Sequence, residues 1–264
     1  MALSVFIEYI LAMKKLVLIS GLFLMGAASC GAAGPASEQT SQASSSPAIN
    51  PIEVKAMTTG QPASVVELFT SQGCSSCPPA NKFAAALSQD EDKLVLSYGV
   101  TYWDYLGWKD TFGDPEFTIR QRTYGKAFKE QNIYTPQLVL NGASHSSRYS
   151  RSDVESMVLP ETKAAAKIVL SEGKLVVKSK ANENSKLVIV SYMPGIQSVD
   201  VKRGENRGRQ LELANVVTKV MPAQWSGEVL KTEIEAKDGQ AYAALFHDPQ
   251  TAEITTAAVY YPKS

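Results

Sequence analysis

Two cysteines three positions apart, Cys74 and Cys77, mark the point where a strand passes into a helix. Residues 64–69 before them are β-branched and apolar apart from one glutamate and one serine, which predicts a short buried strand. Residues 78–87 after them predict a helix that opens with two prolines. Proline is tolerated there because the first N–H groups of a helix have no acceptor within it. A strand, a turn and a helix that starts beside the second cysteine therefore constrain the fold strongly.

The position of the cysteine pair suits thiol chemistry. A thiol at the start of a helix meets free N–H groups and the positive end of the helix dipole, and both favour the thiolate. The thiolate is the form that attacks a disulfide. The sequence therefore predicts that Cys74 and Cys77 form a redox-active dithiol. The alternative is a structural disulfide between these two cysteines that only stabilises the loop.

The N-terminal segment predicts export. Lys14 and Lys15 form a charged region, residues 16–25 are largely apolar, and small residues lead to Cys30, which is the pattern of a secretory signal peptide. The apolar segment is too short to predict a transmembrane helix. An apolar prefix before the lysines is unusual for a signal, so Met13 is the predicted true start.

The end of the predicted signal peptide, residues 1–30, resembles a bacterial lipoprotein box. That resemblance implies that Cys30 receives a lipid and becomes the mature N-terminus; plain cleavage beside Ser29 is the alternative. Residues 31–62 begin with a long stretch of Ala, Gly, Ser, Gln and Pro, which predicts a flexible tether. The expected location is the cell envelope, lipid-anchored and outside the cytoplasm (periplasmic or at the outer membrane), or secreted if Cys30 carries no lipid.

The charge of the processed chain is close to zero. Removing Glu8, Lys14 and Lys15 with the signal peptide leaves 25 acidic and 24 basic residues. A nearly neutral surface gives no electrostatic case for binding nucleic acid. The three cysteines divide into one lipidation candidate and one pair, and the only histidines are His145 and His247. We therefore predict no metal site and no cofactor.

The chain after the tether divides into two parts with different periodicity. Residues 63–160 alternate strands and helices, which is typical of an α/β domain. Residues 161–264 contain short apolar segments separated by turns, which favours a mainly β, sandwich-like domain. The strands predicted for this second part are 166–170, 174–180, 186–192, 198–202, 215–221, 228–236, 240–246 and 253–261.

Capping and turn residues locate further elements of the first part. Asp114 predicts the N-cap of a helix with Pro115 at its first position. Residues 137–140 predict a strand that ends in an Asn-Gly turn. The run 152–155 fits a capping box at the start of a last short helix, which Pro160 stops.

Four segments of the first and second parts carry a family resemblance: Val66–Ala80, Tyr102–Asp110, Tyr134–Gln137 and Arg203–Asn206. They resemble the secreted bacterial proteins catalogued as domain of unknown function 1223. The resemblance covers nearly everything from Ser64 to the C-terminus and implies a thioredoxin-like fold for residues 63–160. It implies no activity, because none is attached to the family.

A thioredoxin-like fold implies roles for five residues. By resemblance to thioredoxins, Cys74 is the exposed attacking thiol and Cys77 the resolving thiol, and the two form a disulfide when oxidised. Thr135 and Pro136 correspond to the loop whose cis-proline faces the dithiol, where a substrate chain can pair with the Thr135 backbone. Glu67 corresponds to the buried acid that shuttles protons, with a spacing one residue longer; a paired, structural glutamate is the alternative.

An aromatic cluster stands between two elements of the expected fold and consists of Tyr102, Trp103, Tyr105 and Trp108. One interpretation is that these side chains cap the core or pack against the second domain. The other is a substrate groove beside Cys74 formed by Trp103 and Trp108, with Asp104 or Lys109 as a polar handle.

A polar stretch, residues 203–209, lies between two predicted strands and contains three arginines and two glycines. The arginines suggest an anion site. A polar turn that joins two strands is the simpler interpretation, and it is the one we predict.

Three functional hypotheses remain open from the sequence. The first is a membrane-tethered thiol–disulfide oxidoreductase that acts on exported proteins with thiols or disulfides and is recycled by an unknown redox partner. The second is a non-catalytic envelope binding lipoprotein with a structural Cys74–Cys77 disulfide. The third is a copper-handling protein that uses the two sulfurs and His145 as ligands.

Overall fold

Twelve strands and three α-helices make up the described part of the chain, which in this computed structural model comprises residues 59–160, 165–181 and 183–261. The strands are β1 (Thr59–Gly60), β2 (Ser64–Thr70), β3 (Lys93–Gly99), β4 (Gln137–Leu140), β5 (Ser144–Ser146), β6 (Lys167–Ser171), β7 (Lys174–Lys178), β8 (Lys186–Asp200), β9 (Gln210–Ala223), β10 (Val229–Glu235), β11 (Ala241–His247) and β12 (Ile254–Tyr260). The helices are α1 (Pro78–Leu87), α2 (Pro115–Ala127) and α3 (Arg151–Ser156). The predicted signal peptide, Cys30 and most of the predicted tether lie outside the described residues.

Nine strands form one mixed sheet in the order β1-β12-β11-β8-β9-β3-β2-β4-β5. Strands β2 and β3 are parallel and are connected through α1, whereas β4 is antiparallel to β2. The strands of the first and second parts of the chain meet at β3 and β9, where Ser97 pairs with Val216. The prediction of a mixed α/β fold rich in strands is therefore confirmed, and the domain boundary near residue 160 stays a prediction.

A second sheet, β10-β7-β6, packs on the large sheet. Ile168, Leu175 and Val177 of the small sheet share an apolar core with Tyr242 and Phe246 of β11. The second part thus has two layers of strands, and one of these layers is the continuation of the large sheet.

Strand β2 is buried on both faces, which explains its nearly continuous apolar sequence. Val65 and Phe69 belong to the core on the α2 side of the sheet. Val66 and Leu68 belong to the core shared with α1 and α3. Because side chains alternate along a strand, Glu67 lies on the α2 side.

Three predicted strands are wrong in their extent. Segments 186–192 and 198–202 form one strand, β8, and β9 begins at Gln210 rather than at residue 215. A bulge keeps the two strands paired where a break was expected: Gly195 and Asn215 both have positive φ, 81° and 46°, and the Gly195 N–H donates to Asn215 Oδ1 at 2.9 Å. A bulge bends a hairpin.

The predicted caps are confirmed with one correction. Asp114 caps α2 by accepting a hydrogen bond from the Glu116 N–H at 2.8 Å. The capping box of α3 uses Ser150 and Asp153, two residues earlier than expected, because Ser150 has the extended backbone of an N-cap. No helix among the described residues is long and apolar enough to cross a membrane.

Candidate functional site

The cysteine pair stands at the start of α1, as the sequence predicts. Cys77 is the N-cap residue of α1 and forms a disulfide with Cys74, with their Cα atoms 5.5 Å apart. Two turns lead into the helix: the Cys74 N–H donates to the Ser71 carbonyl at 3.1 Å, and the Cys77 N–H donates to the Cys74 carbonyl at 3.2 Å. The sulfur atoms are thus held at the helix end where N–H groups are free.

The Thr135–Pro136 loop lies across from the disulfide. Its peptide bond is cis, and it leads directly into β4. Ser76 bridges the two features, because its Oγ lies 3.3 Å from Cys74 Sγ and 3.5 Å from the Thr135 carbonyl oxygen. The structure therefore brings together four of the predicted site residues, and Ser76 joins them.

Trp103 connects the same two loops from a third direction. Its indole Nε1 donates to Thr135 Oγ1 at 2.7 Å. On its other side, a Cβ added at Gly73 would lie only 3.3 Å from the Trp103 Cβ. The loop after β3 reaches this position because β2 and β3 are parallel, so the chain segments that follow them emerge at the same edge of the sheet.

A cavity of about 460 Å³ runs along this edge between α1 and the Thr135–Pro136 loop. Ser76, Pro79, Phe83 and Arg148 are among the residues that line it. The combination of an apolar floor with a few polar groups is typical of a site that binds a ligand or a peptide side chain.

Both cysteines are buried, with exposures of 1% for Cys74 and 0% for Cys77. The expectation that Cys74 is exposed is therefore wrong for the disulfide form. The β8–β9 turn, residues 201–209, contacts the backbone of this segment, and the Asn206 side-chain amide donates to the carbonyl oxygens of Gln72 at 3.0 Å and Cys74 at 2.8 Å.

The predicted polar stretch 203–209 does form a turn between two strands, and it also contacts the backbone at Cys74 and Ser75. Beyond the bulge at Gly195, the outer part of the β8–β9 hairpin lies beside α1, where Pro78 and Lys82 line a cavity together with residues 209–212. The bent hairpin thus brings a turn from the second part of the chain over the first.

A buried acid holds the backbone of the turn that precedes Cys74. Asp110 accepts hydrogen bonds from the Gln72 N–H at 2.8 Å and from the Phe112 N–H at 2.9 Å. Burial raises the pKa of Asp110 to about 6, although the two backbone donors act in the opposite direction. The Gln72 side chain in turn accepts from Trp108 Nε1 at 2.8 Å.

The other two tentative groove residues have packing roles here. Trp108 packs against the core formed by Val201 and Leu211 of the hairpin, which matches the interpretation that the aromatic cluster packs on the second part. The Asp104 carboxylate accepts a hydrogen bond from the Asp110 N–H at 3.1 Å and so holds its own loop. Of the three, Trp103 is the residue that contacts the Thr135 loop.

Glu67 is a paired glutamate, the alternative considered from the sequence. It is fully buried on the α2 side of β2 and accepts two hydrogen bonds from Arg120, at 2.7 and 2.9 Å, and one from the Tyr124 hydroxyl. Burial alone would raise the pKa of Glu67, but the Arg120 charge and these hydrogen bonds outweigh burial and lower it. Since α1 packs on the opposite face, we assign Glu67 no proton transfer to the dithiol.

The two histidines contact residues other than the cysteine pair. His145 Nδ1 is 2.8 Å from the Tyr134 hydroxyl, and its ring stacks on Phe128 with centroids 4.4 Å apart. His247 is buried beside Arg120. Within the described ranges no group of three or more His, Cys, Asp or Glu side chains is arranged to hold a metal ion, so the proposed set of two sulfurs and His145 is not assembled.

The sequence model of the family described as "Protein of unknown function (DUF1223)" matches residues 65–246. The chain belongs to this family. The match includes the disulfide, the Thr135–Pro136 loop and the β8–β9 turn, so the whole site described above lies within the family segment. No curated protein matches the chain.

Two solved structures are similar to this family member. The crystal structure of protein AGR_C_4864 from Agrobacterium tumefaciens is 27% identical, with 78% of this chain and 96% of that chain covered and a TM-score of 0.62. HBP35 of Porphyromonas gingivalis is 13% identical, with 75% of this chain and 74% of that chain covered and a TM-score of 0.47. The first similarity supports the fold over most of the chain.

Sequence reasoning missed five contributors to the site, namely Gln72, Ser76, Asp110, Glu205 and Asn206. All five lie inside the segments that carry the DUF1223 resemblance, and that was the available signal. No local sequence pattern distinguishes them, because each contacts a residue far away in the chain.

Proposed function

We propose that this protein carries out thiol–disulfide exchange on exported proteins through Cys74 and Cys77. The observation that carries the proposal is the disulfide at the N-terminus of α1, with the Ser76 hydroxyl 3.3 Å from Cys74 Sγ. A helix N-terminus and a hydroxyl donor are the features that stabilise a thiolate leaving group or nucleophile.

The strand order supports a thioredoxin-like domain as part of this proposal. Within the large sheet, β3-β2-β4-β5 has β2 and β3 parallel and β4 antiparallel to β2. Helix α1 connects the parallel pair, and α2 follows β3. This is the arrangement that the sequence resemblance implies, and it accounts for the Thr135–Pro136 loop opposite the disulfide.

The exchange proceeds in two displacement steps when the dithiol acts as a reductant. The Cys74 thiolate attacks one sulfur of a substrate disulfide, and the other substrate sulfur leaves as a thiolate that takes up a proton. The Cys77 thiolate then attacks Cys74 Sγ, which re-forms the internal disulfide and releases the second substrate thiol. Two electrons pass from the dithiol to the substrate, and the same steps in reverse oxidise a substrate dithiol.

Substrate binding is assigned to the cavity beside Ser76 and the Thr135–Pro136 loop. An extended chain there can reach Cys74 along the face that Phe83 and Arg148 line. Trp103, which donates to Thr135 Oγ1 at 2.7 Å, fixes the loop on which such a chain docks.

The compartment belongs to the proposal as well. The N-terminal pattern of the sequence favours export and lipidation of Cys30, which would anchor the domain in an envelope where disulfides persist. Mass spectrometry of the membrane-bound protein checks this directly: an unmodified Cys30 thiol would contradict the anchor without affecting the redox proposal.

The redox proposal is tested by equilibrating the purified protein with glutathione buffers and quantifying the Cys74–Cys77 disulfide by alkylation. A reduction potential between about −270 and −120 mV supports exchange, since characterised exchange proteins lie in that interval. The Cys77→Ser variant should accumulate a mixed disulfide through Cys74 with an oxidised peptide, and Cys74→Ser serves as the matched control.

A structural disulfide in a binding protein is the second candidate. The near-complete burial of both cysteines, 1% and 0% exposed, is the observation that favours it. The same equilibration separates the two candidates. A reduction potential below about −300 mV together with no mixed disulfide would indicate a structural disulfide.

A further inference from the structure

The β8–β9 turn, residues 201–209, forms three hydrogen bonds with the backbone of residues 72–75, at Gln72, Cys74 and Ser75. We propose that Glu205 and Asn206 of this turn set the reactivity of Cys74: Asn206 holds the turn over the sulfur, and Glu205 disfavours the thiolate. This inference rests on the proposed function and extends it, because it assigns control of the dithiol to the second part of the chain.

Asn206 is suited to fixing the turn in place. It is fully buried, and its amide nitrogen donates to the carbonyl oxygens of Gln72 and Cys74 at 3.0 and 2.8 Å. Its Oδ1 accepts from Arg209 Nη1 at 3.0 Å, so both ends of the amide are bonded. Removing this side chain leaves two buried carbonyl oxygens without these donors, and the closed position of the turn loses its main polar attachment.

Glu205 affects the ionisation of the Cys74 thiol rather than the position of the turn. Its Oε2 accepts a hydrogen bond from the Ser75 N–H at 3.1 Å, and hydrogen bonds from Ser75 lower the pKa of Glu205. The carboxylate is therefore ionised at neutral pH. It accepts the hydrogen bond of the Ser75 N–H, which follows Cys74 in the chain. A thiolate on Cys74 would lose that donor and face a nearby negative charge, and both effects raise the pKa of a thiol.

Other charged side chains also lie around the dithiol. Asp110 lies below the 71–74 turn and is bonded to the Gln72 and Phe112 N–H groups. Lys82 lies on α1 beside Arg209, and Arg148 lies across the substrate cavity. Among the described residues, Glu205 is the acid whose carboxylate bonds to the Cys74–Cys77 segment itself.

The two roles are coupled because both residues lie on one turn. While the turn is closed, Cys74 is covered and a carboxylate is held against the Ser75 N–H. When the turn moves away, the sulfur is exposed and the carboxylate leaves with it. Displacement of the turn would therefore expose and activate the thiol in the same step.

The experiment measures alkylation of Cys74 by iodoacetamide against pH in the full-length protein reduced with a phosphine, with Cys74 identified by peptide mass spectrometry. The midpoint of the profile gives the thiol pKa, and the plateau at high pH reports how accessible the thiolate is. Reduction by a phosphine makes the measurement possible whether or not glutathione opens the disulfide.

Glu205→Gln should lower the midpoint by about 0.3 to 1 unit and leave the plateau within about twofold, since the side chain is exposed and its charge is partly screened. Glu253→Gln removes an exposed carboxylate at the far end of the sheet and should leave both quantities unchanged. An identical midpoint in Glu205→Gln and the parent protein would overturn the charge role.

Asn206→Ala should raise the plateau roughly tenfold or more, because losing two ordinary hydrogen bonds changes the population of the open turn by at least that factor. Gly204→Val is a second way to open the turn if Asn206→Ala folds poorly, since even a Cβ there meets the Trp108 Cβ at 3.3 Å. An unchanged plateau in the folded variants would overturn the covering role. Failure of the proposed function looks different: the disulfide then resists glutathione and forms no mixed disulfide, whatever the turn variants do.

Discussion

The hydroxyl oxygen of Ser76 lies 3.3 Å from the sulfur of Cys74. After reduction of the disulfide, this hydroxyl can donate to a Cys74 thiolate, while the thiol form gains less from it. The contact therefore favours ionisation of Cys74, in opposition to the Glu205 carboxylate that accepts from the Ser75 N–H.

Replacing Ser76 by alanine is expected to raise the pKa of the reduced Cys74 thiol by about half a unit to one unit, which is the scale of one hydrogen bond to the charged form. The ultraviolet absorbance of the thiolate during a pH titration measures this. Ser76→Thr retains the hydroxyl and should restore most of the parent value; equal pKa values in all three proteins would exclude the contact as a determinant.

Breaking the buried pair of Glu67 and Arg120 should destabilise the fold without changing the thiol. Glu67→Gln leaves the Arg120 guanidinium buried with an uncharged partner, and loss of one member of such a pair costs about 3–5 kcal/mol of unfolding free energy. Urea unfolding of Glu67→Gln, Arg120→Met and the double variant measures the coupling. A shifted Cys74 pKa in folded Glu67→Gln would argue instead for proton transfer between Glu67 and the dithiol.

The sign of the Glu67 pH dependence follows from its lowered pKa. A carboxyl group whose folded pKa is depressed stabilises the fold above its unfolded pKa, and this contribution disappears as the pH falls through the folded pKa. The parent protein should therefore lose stability at strongly acidic pH, and Glu67→Gln should lack this part of the loss.

His247 is expected to destabilise the fold on acidification. Burial lowers its pKa to about 4, and the Arg120 charge adds to this effect. Since the neutral ring is the folded form, stability is complete above the unfolded pKa and falls between about pH 6.5 and 4, by roughly 3 kcal/mol in total.

The His247 contribution is measured as the difference in unfolding free energy between the parent protein and His247→Gln across this pH interval. The raised pKa of Asp110, about 6, acts in the opposite direction over nearly the same interval, so the parent curve alone stays flatter than either contribution. His145→Gln is the matched control, and a pH dependence equal in both histidine variants would contradict the assignment.

Trp103→Phe should slow exchange with peptide substrates roughly threefold to tenfold, because it removes one hydrogen bond from the Thr135 loop while retaining an aromatic ring. The reaction with a small-molecule disulfide should change less than about twofold, since such a compound does not need the docking loop. Trp225→Phe, in the core between the two sheets, is the control. Equal loss with both substrates would show that Trp103 acts on the dithiol loop rather than on docking.

Local signals in the sequence located much of the site. Two prolines after Cys77 start α1 beside the pair, and Asp114 caps α2 through a contact two residues away. Both features depend on hydrogen bonds or backbone preferences within a few residues, which a single sequence contains. The roles of Thr135 and Pro136, in contrast, come from the family resemblance.

The tertiary structure decided what surrounds the Cys74–Cys77 pair. Asn206 is 132 positions from Cys74 and reaches it because the β8–β9 hairpin is bulged and lies beside α1. The role of Glu67 depended on which face of β2 packs against α2. The burial of Asp110 depended on how the loop after β3 folds back. The sequence by itself determined a cysteine pair at a helix start. The pairing of strands far apart in the chain decided that a turn from the second part bonds to its backbone, because such contacts follow from topology and not from local preference.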